Sequence, residues 1–377
     1  MSEVFNTERT PPEQFSIDWD DIYYDIKTQK AILVLGPGFL VQNEQTAKQL
    51  LFEELKNKPD NGILHFNPDN EIFLFESQYH KTKAQRFAST FYEKIKADAT
   101  ILKCIAELPF PLVINTNPDT TLMAGYQNAS KKPQFDYFTG RASKSPVDLV
   151  KPDKDCPILY NLFGSSQPDA LESIILDFED MFTHLKALFE NTKQVPDAFN
   201  TVLREADTYI FIGFRMEKLR TQLLMRYINT KTHDFDNRDK NYTAKSSFDD
   251  ADSESFFRKQ FNIKYYGAPV EFLNEIHQLY FASRQIDETV ATMIKPFKEA
   301  ARDYIKQNDF ARAFTLLENN IFDNDQKNQL IACQMRYSKY SLDVTNGTEY
   351  KMNLDVELNR ITMALLELID CIPPDKG

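Results

Sequence analysis

The sequence predicts an α/β domain with a Rossmann-like, mostly parallel sheet and flanking helices, followed by a small all-α helical domain. Up to about residue 285, short apolar runs alternate with helical patterns, which is the order of a parallel α/β fold. Beyond about residue 286 the strand signals stop and only helical patterns follow. We therefore expect two domains, residues 1–285 and residues 286–377.

The alternation of helices and strands begins near the N-terminus. Residues 17–30 have helical spacing, and the run "AILVL" at 31–35 is wholly apolar, as in strands that are buried on both faces. Further helical patterns cover 44–57 and 81–107. The other strand candidates are short apolar runs at 71–75, 111–117, 157–163, 173–176, 207–214 and 262–267. The polar stretch from about 231 to 254 predicts a surface loop or a partly disordered insertion.

The C-terminal region reads as a helical bundle. Residues 286–320 give two helical patterns separated by the polar "KQND", and another pattern covers 325–340. In the last pattern, apolar residues recur at alternating spacings of four and three: Leu354, Leu358, Ile361, Leu365 and Leu368. Such a stripe serves either the core of the bundle or a partner, and the core is the favoured interpretation.

Charge and composition count against several classes of protein. The net charge of −12 and a pI near 5.1 disfavour direct nucleic-acid binding, which needs a dense basic surface. The four cysteines are scattered without a C-x-x-C pair, so they predict neither a disulfide framework nor a zinc site. No apolar run is long enough to span a membrane, and no signal peptide is visible. We expect a cytoplasmic protein without a metal.

Four of the ten glycines lie at or just after the ends of predicted strands, namely Gly36, Gly38, Gly164 and Gly213. In a parallel sheet these ends share one edge, where ligands bind, and glycine lets backbone N–H groups approach a phosphate. Ordinary turns would explain each glycine separately. Three such strand ends in a glycine-poor chain favour a shared ligand crevice. The first turn lacks the third glycine of a G-x-G-x-x-G pattern, because Val41 occupies that position.

One strand end, "INTNPDTTL", carries polar side chains in place of glycine. Asn117 and Asp119 could position a ribose hydroxyl or an attacking water. The alternative is an Asx-turn, in which the same two side chains cap the backbone around Pro118. From this segment alone the turn is favoured.

Taken in order, these segments resemble the motifs of the SIR2-like family. The matching stretches are "GPGF" (36–39), "TNPD" (116–119), "FGSS" (163–166) and "GFRM" (213–216). The resemblance covers roughly residues 17–283, and it is not to the deacetylase branch, because the paired cysteines of a zinc ribbon are absent. The chain looks closer to bacterial SIR2-like effectors, which hydrolyse NAD to ADP-ribose and nicotinamide in anti-phage defence. The C-terminal region resembles the helical effector-associated domains that couple such effectors to an activating partner.

The resemblance implies NAD as substrate or ligand, a protein partner for the helical domain, and a homo-oligomer. It implies catalytic roles for Asn117, which would orient a water or the nicotinamide ribose, and for Asp119, which would hold ribose or nicotinamide. The implied binding residues are Gly36, Pro37, Gly38 and Phe39 around the pyrophosphate, Gly213 and Phe214 on the adenosine side, and Thr116, Phe163, Gly164 and Ser165 along the crevice.

The chain departs from the family at the third strand. A histidine commonly contacts the ribose there and acts as a base, but here the position is Phe163, with Asn161 nearby, and Leu40 replaces the usual serine of the first turn. For the five histidines a surface or capping role is favoured, although His80 could reach the crevice.

Two functions therefore stay open. The first is an NAD-hydrolysing effector. The second is a degenerate module that binds NAD or an ADP-ribose-type signal as a sensor or oligomerising scaffold. A redox Rossmann enzyme is a weaker third interpretation, because Val41 breaks the dinucleotide pattern.

Overall fold

The chain divides into two compact units, Met1–Tyr280 and Phe281–Gly377. The structure is a computed structural model that describes residues 17–41, 45–140, 147–190, 195–231, 240–248, 250–321, 323–347 and 351–372. Of residues 284–296, 351 and 352 only the backbone is described.

Short parallel strands form the central sheet of the first unit, and two further strands form a separate antiparallel hairpin. The strands are β1 Ala31–Leu35, β2 Ile63–Asn67, β3 Ile72–Phe75, β4 Leu112–Asn115, β5 Gln134–Tyr137, β6 Ile158–Asn161, β7 Thr208–Ile212, β8 Asn241–Ala244 and β9 Ile263–Tyr266. The order in the large sheet is β5–β6–β4–β1–β7–β8–β9, and each neighbouring pair is parallel. The hairpin joins β2 to β3. The predicted fold class is confirmed.

Helices follow most of the strands and make up the second unit. They are α1 Trp19–Lys27, α2 Ala47–Lys56, α3 Gln78–Lys94, α4 Ala99–Glu107, α5 Thr121–Asn128, α6 Phe178–Phe189, α7 Asp197–Glu205, α8 Leu219–Lys231, α9 Ala251–Phe261, α10 Pro269–Lys306, α11 Phe310–Asn320, α12 Asn324–Asn346 and α13 Lys351–Cys371. Side-chain caps fix several helix starts: Thr46 and Gln49 form a capping box at α2, and Asp177 and Asp180 form one at α6.

The sheet is buried on both faces. Alternate residues of β1 enter two different hydrophobic clusters: Leu33 and Leu35 belong to one, and Ile32 and Val34 to the other. Because both faces of the strand are covered by helices, its sequence is wholly apolar instead of alternating.

The prediction of a polar loop at 231–254 is wrong over the part that the structure describes. Strand β8 and the start of α9 lie within this stretch, whereas residues 232–239 and 249 lie outside the described residues. Two polar side chains of β8 are buried and hydrogen-bonded: Asn241 donates to the carbonyl oxygen of Phe261 at 2.8 Å, and the Thr243 hydroxyl lies 3.0 Å from the Ser247 hydroxyl. A strand built with polar groups paired in this way shows no apolar pattern in the sequence.

The prediction of a strand at 173–176 is also wrong. The chain there forms a short 3-10 helix, Leu171–Ser173, and then an extended segment. Ile174, Ile175 and Leu176 are buried, which accounts for the apolar run, but the segment joins no sheet. Its backbone instead meets the hairpin, where Leu176 accepts a hydrogen bond from the N–H of Phe73 at 2.8 Å.

The strand order shows at which edge of the sheet a ligand crevice is expected. β1 lies between β4 on one side and β7 on the other, so the chain changes direction across the sheet on either side of β1. In open parallel sheets the crevice at this switch point, outside the carboxyl ends of the strands, is where ligands bind. The predicted glycine and asparagine segments follow β1, β4, β6 and β7, so they all lie along this edge.

The second unit has its own hydrophobic core. Ile361, Leu365 and Leu368 of α13 are buried with residues of α11 and α12, and Leu358 packs against the same cluster. Four of the five residues of the apolar stripe predicted in the last helix therefore serve the core of this unit, and the half-buried Leu354 is outside the cluster.

Candidate functional site

The glycine turns that follow β1 and β7 pack directly against each other. The N–H group of Gly36 donates to the carbonyl oxygen of Ile212 at 2.7 Å, and that of Gly38 donates to the oxygen of Gly213 at 2.8 Å. A Cβ at Gly36 would overlap the Gly213 carbonyl, and one at Gly213 would lie 2.6 Å from the carbonyl carbon of Gly38. Gly213 also has φ +75°, a left-handed conformation that favours glycine. Backbone packing at the sheet edge therefore requires these glycines.

Because of this packing, the first turn offers few backbone donors to a ligand. The N–H groups of Gly36 and Gly38 are engaged with the second turn, and that of Phe39 donates to the Gly36 oxygen at 3.0 Å. Pro37 has no N–H group. The pyrophosphate role of residues 36–39 stays a prediction, and its donors must come largely from side chains.

The loop after β4 is held by its own side chains. The Asp119 carboxylate accepts hydrogen bonds from the N–H of Thr121 at 2.9 Å, from the Thr121 hydroxyl, and from the Asn115 amide at 3.0 Å. Oδ1 of Asn115 accepts from the N–H of Asn117 at 3.0 Å. The turn interpretation therefore fits Asp119, but the second capping side chain is Asn115.

The side chain of Asn117 instead reaches across to β1. Its Nδ2 donates to the Gly36 oxygen at 3.0 Å, and the neighbouring Thr116 hydroxyl donates to the oxygen of Leu35 at 2.8 Å. Among the described residues, Oδ1 of Asn117 accepts no hydrogen bond. The structure thus brings three predicted residues together and leaves one of them with an unused acceptor.

Most polar groups after β6 have structural partners. A Cβ at Gly164 would overlap the backbone of Ser173, and the N–H of Ser165 donates to the Ser173 hydroxyl at 2.9 Å. The Asn161 amide donates to the backbone oxygen of Asp119 at 2.7 Å. Of this stretch, Phe163 faces the site described next.

A small cavity lies where these strand ends meet. Its volume is about 20 Å³, enough for one water, and its lining is Pro37, Lys48, Glu71, Tyr92, Thr116, Asn117, Pro118, Phe163, Ile175 and Arg220. Four of these residues were predicted for the site: Pro37, Thr116, Asn117 and Phe163. Polar groups without partners gather here. Neither the Tyr92 hydroxyl nor Oδ1 of Asn117 makes a hydrogen bond to any residue in the described part of the chain. A water in the cavity would therefore have several polar partners.

Lys48 lies on the buried face of α2 and lines the same cavity. Its side chain is 8% exposed, and within the described ranges its ammonium makes neither an ion pair nor a hydrogen bond. Burial, and next the Arg220 guanidinium, lower the pKa of Lys48 to about 7, although Glu71, Asp180 and Asp177 act in the opposite direction. A buried ammonium without a partner is costly, so this position is unusual in a folded protein.

Arg220 and Glu71 form the charged wall beside Lys48. Arg220 lies 3.3 Å from a carboxylate oxygen of Glu71, and its guanidinium stands 5.7 Å from the centre of the Phe163 ring. Glu71 also accepts a hydrogen bond of 2.6 Å from the Thr46 hydroxyl and has φ +54°, a conformation uncommon outside glycine.

A larger crevice adjoins this wall. Its volume is about 460 Å³, and it shares Pro37, Glu71 and Arg220 with the small cavity. Predicted residues Gly38, Gly213 and Phe214 also line it, together with the cations Arg215 and Lys218. The adenosine side that was predicted at Gly213 and Phe214 therefore opens into a crevice with basic side chains, and that role stays a prediction.

Sequence reasoning missed Lys48, Glu71, Tyr92 and Arg220. One signal was available for Lys48, because it falls on the buried face of α2 with Leu51 and Leu55. Glu71 and Arg220 come from separate elements that only the fold brings together, so nothing in the local sequence marks them.

A further cavity of about 790 Å³ lies near the end of edge strand β5. Asp136, Asp169 and Glu172 line it, and none of the predicted site residues does. The crevice beside Arg220 also has two carboxylates, Asp69 and Glu71, but three cations line it, whereas no Lys or Arg among the described residues lines this further cavity; the crevice therefore suits a nucleotide phosphate better.

Among the residues that the structure describes, no histidine lines the small cavity or the adjoining crevice. His80 pairs with Ser77 and Asp60 near the start of α3, as expected for a capping histidine. His184, however, is buried, which corrects the surface interpretation. Its Nε2 lies 2.7 Å from the Leu162 oxygen, its ring is 5.3 Å from the ring of Phe163, and burial lowers its pKa to about 4.

The comparison with known families concerns the C-terminal region. Residues 296–373 match the family model of effector-associated domain 11, which confirms the prediction for that region. No curated protein matches the chain. In the described part of the chain, no helix is long and apolar enough to cross a membrane, and no cluster of three potential metal ligands occurs. The SIR2-like resemblance of the α/β unit stays a prediction.

Proposed function

We propose that this chain is an effector of a bacterial anti-phage or other conflict system, and that it hydrolyses NAD to ADP-ribose and nicotinamide when a partner activates it. Three things support the proposal: the SIR2-like order of the strand-end motifs, the position of these motifs at the switch point of the sheet, and the effector-associated match at residues 296–373.

The observation that carries the catalytic part is the small cavity beside Asn117. It has room for one water and is bounded by Asn117, Tyr92, Lys48 and Phe163. Oδ1 of Asn117 is a hydrogen-bond acceptor without a partner among the described residues, and Nδ2 is held by Gly36. An amide fixed at one end can orient a water at the other.

This arrangement suits cleavage of an N-glycosidic bond. The nicotinamide ring of NAD is cationic and leaves as a neutral molecule, so the leaving group needs no proton. As the bond between the nicotinamide nitrogen and the anomeric carbon of the ribose breaks, positive charge develops on the ribose. The oxygen of the oriented water then bonds to this anomeric carbon, and the water releases a proton. The site has mainly to position the ribose and water, which contributes to rate without a strong base.

The C-terminal unit supplies the connection to a partner in this proposal. An effector-associated region would bind an activating protein and favour assembly into a homo-oligomer. The NAD-consuming unit would then be active only in the assembled state.

The test is NAD consumption by the full chain. NAD should fall in cells that express the protein with its neighbouring genes, and ADP-ribose and nicotinamide should appear in equal amounts. Asn117→Ala should abolish the loss, whereas Asn57→Ala, at an exposed C-cap of α2, should not change it. A melting curve of Asn117→Ala checks that the variant folds. Unchanged turnover in folded Asn117→Ala would remove this residue from the mechanism, and no NAD loss under any activating condition would remove hydrolysis.

A second function is binding without turnover, in which the α/β unit acts as a sensor or oligomerising scaffold. Two observations favour it. The family base is replaced by Phe163, whose ring faces the Arg220 guanidinium, and the carboxylate of Asp119 is occupied by Thr121 and Asn115. Calorimetry would then show tight binding of NAD or ADP-ribose with no product. Any hydrolysis of NAD by the activated protein would exclude binding without turnover and favour the hydrolase function.

A further inference from the structure

We propose that Lys48 and Arg220 form a binding site for a phosphoryl group of the nucleotide, and that Glu71 holds Arg220 in the empty protein by occupying the place of that anion. This inference rests on the proposed function for the identity of the ligand. It concerns binding, however, and can be tested without turnover.

The first step is the state of Lys48. Its side chain is nine-tenths buried, lines the small cavity, and has no ion pair or hydrogen bond with any described residue. A buried charge is stable only when it is paired, and otherwise the group gives up its proton. An anion that enters the cavity would supply the missing partner.

The second step is the position of Arg220 and Glu71. Both residues line the small cavity and the 460 Å³ crevice, so their ion pair stands between the two spaces. A ligand in the crevice meets Arg220 first, and the Lys48 ammonium lies beyond. The cavity itself, at about 20 Å³, is too small for a phosphoryl group until the side chains of the wall move.

The third step concerns the alternative donors. Dinucleotide folds usually bind phosphates with backbone N–H groups of the glycine turn. Here the N–H groups of Gly36, Gly38 and Phe39 are used within the fold. A guanidinium and an ammonium on two separate helices, α8 and α2, provide the positive charge that the turn does not.

Ligand binding should then be coupled to uptake of a proton. The empty site holds Lys48 with a pKa of about 7, because burial and Arg220 disfavour its charged form against the opposing effects of Glu71, Asp180 and Asp177. The hydroxyl of Tyr92, on α3, also faces the cavity, and its pKa is raised, so it stays neutral. A bound phosphoryl group favours the ammonium and raises its pKa. Binding near and above neutral pH should therefore take up a proton at Lys48 and weaken as the pH rises.

The test uses calorimetry with ADP-ribose, inorganic pyrophosphate and adenosine on the full chain, from about pH 6 to about pH 8.5. ADP-ribose is the reaction product, and its pyrophosphate does not titrate in this range. Repeating each titration in buffers of different ionisation enthalpy measures the proton uptake. We expect uptake with ADP-ribose and none with adenosine.

Three substitutions make the result specific. Lys48→Met should weaken the binding of ADP-ribose at least about tenfold and abolish the proton uptake that accompanies it, while the affinity for adenosine is unchanged. Lys56→Met, at an exposed lysine of the same helix, should change neither quantity. Glu71→Gln should tighten ADP-ribose binding severalfold, because it removes the competing negative charge and keeps the shape.

The outcomes are distinguishable. If Lys48→Met folds and binds ADP-ribose as the wild type does, with the same proton uptake, the phosphoryl site is overturned even if NAD is hydrolysed. If the wild type binds neither ADP-ribose nor pyrophosphate, the site is also overturned. Lys48-dependent binding without NAD loss supports the site and counts against hydrolysis. If Lys48→Met fails to fold, the direction of the Glu71→Gln effect decides.

Discussion

The side-chain amide of Asn117 donates a hydrogen bond of 3.0 Å to the backbone oxygen of Gly36, and so joins the ends of β4 and β1. The bond fixes the amide at one end and leaves its oxygen toward the small cavity. It also couples the loop after β4 to the turn that packs on Gly213. The geometry of the candidate site therefore depends on backbone packing between two glycine turns.

Gly213→Ala should destabilise the α/β unit by at least about 2 kcal/mol, because the added Cβ would overlap the turn after β1 and because φ is +75°. Urea unfolding can be followed by fluorescence of Trp19, the sole tryptophan of the chain, which stacks on Phe272 within the first unit.

Gly125→Ala is the matched control. Gly125 lies in α5, its added Cβ would meet the nearest atom at 3.5 Å, and alanine has the higher helix propensity. This variant should be as stable as the wild type or more so by up to about 1 kcal/mol. Equal losses for the two variants would show that the interlocked turns have no special role.

His184 should make the α/β unit less stable in mild acid. Its pKa is about 4 when folded and near 6.5 when unfolded, so the unfolded chain binds the extra proton between these values. Stability that is present above about pH 6.5 should be lost toward about pH 4, at up to about 1.4 kcal/mol per pH unit.

His184→Gln should flatten this part of the curve, and His65→Gln, at an exposed histidine of β2, should leave it unchanged. Urea midpoints across the pH series give the measurement. A slope that His184→Gln does not alter would place the acid sensitivity on other groups.

Two buried lysines should respond in opposite directions to substitution by methionine. Lys81 lies 2.6 Å from Asp177 and 2.7 Å from Asp180, so Lys81→Met leaves the buried carboxylate of Asp180 and the partly exposed one of Asp177 without their cation and should cost about 3 kcal/mol. Lys48 has no such partner among the described residues. Lys48→Met should therefore stabilise the empty protein by about 1–3 kcal/mol at pH 7.

The sign follows from the lowered pKa of Lys48. Between about pH 7 and 10.5 the unfolded chain binds more protons at this residue than the folded chain. The penalty is complete below about pH 7 and disappears as the pH rises, so the gain from Lys48→Met should shrink in alkaline solution. A loss of stability in Lys48→Met at pH 7 would mean that its ammonium has a favourable contact.

The sequence predicted the sheet well where burial on both faces makes a strand wholly apolar. β1 matches its predicted run of 31–35 residue for residue, and β4, β6, β7 and β9 fall within theirs. β8 was missed because it carries the polar residues Asn241 and Thr243, which pair with Phe261 and Ser247, and no local pattern records such a pairing. The run at 173–176 was wrongly predicted as a strand for the opposite reason: it is apolar because it is buried, but it pairs with no strand.

The candidate site divides in a similar way. Strand-end residues such as Gly36, Asn117 and Gly213 could be found, because a parallel sheet necessarily collects the carboxyl ends of its strands at one edge. The charged residues Lys48, Glu71 and Arg220 come from two helices and the hairpin, and only the tertiary fold brings them together. Their separations in the chain, such as 149 positions between Glu71 and Arg220, leave no mark on the local sequence.

The position of β1 has a consequence for biosynthesis. Its two neighbours are β4 and β7, and the register pairs Leu33 with Val113 on one side and with Ile210 on the other. During translation the central strand therefore keeps an open edge until β7 has left the ribosome, long after β1 itself was made. Contacts this distant in the chain also form slowly. A nascent or prematurely terminated chain that ends before β7 would accordingly lack the crevice.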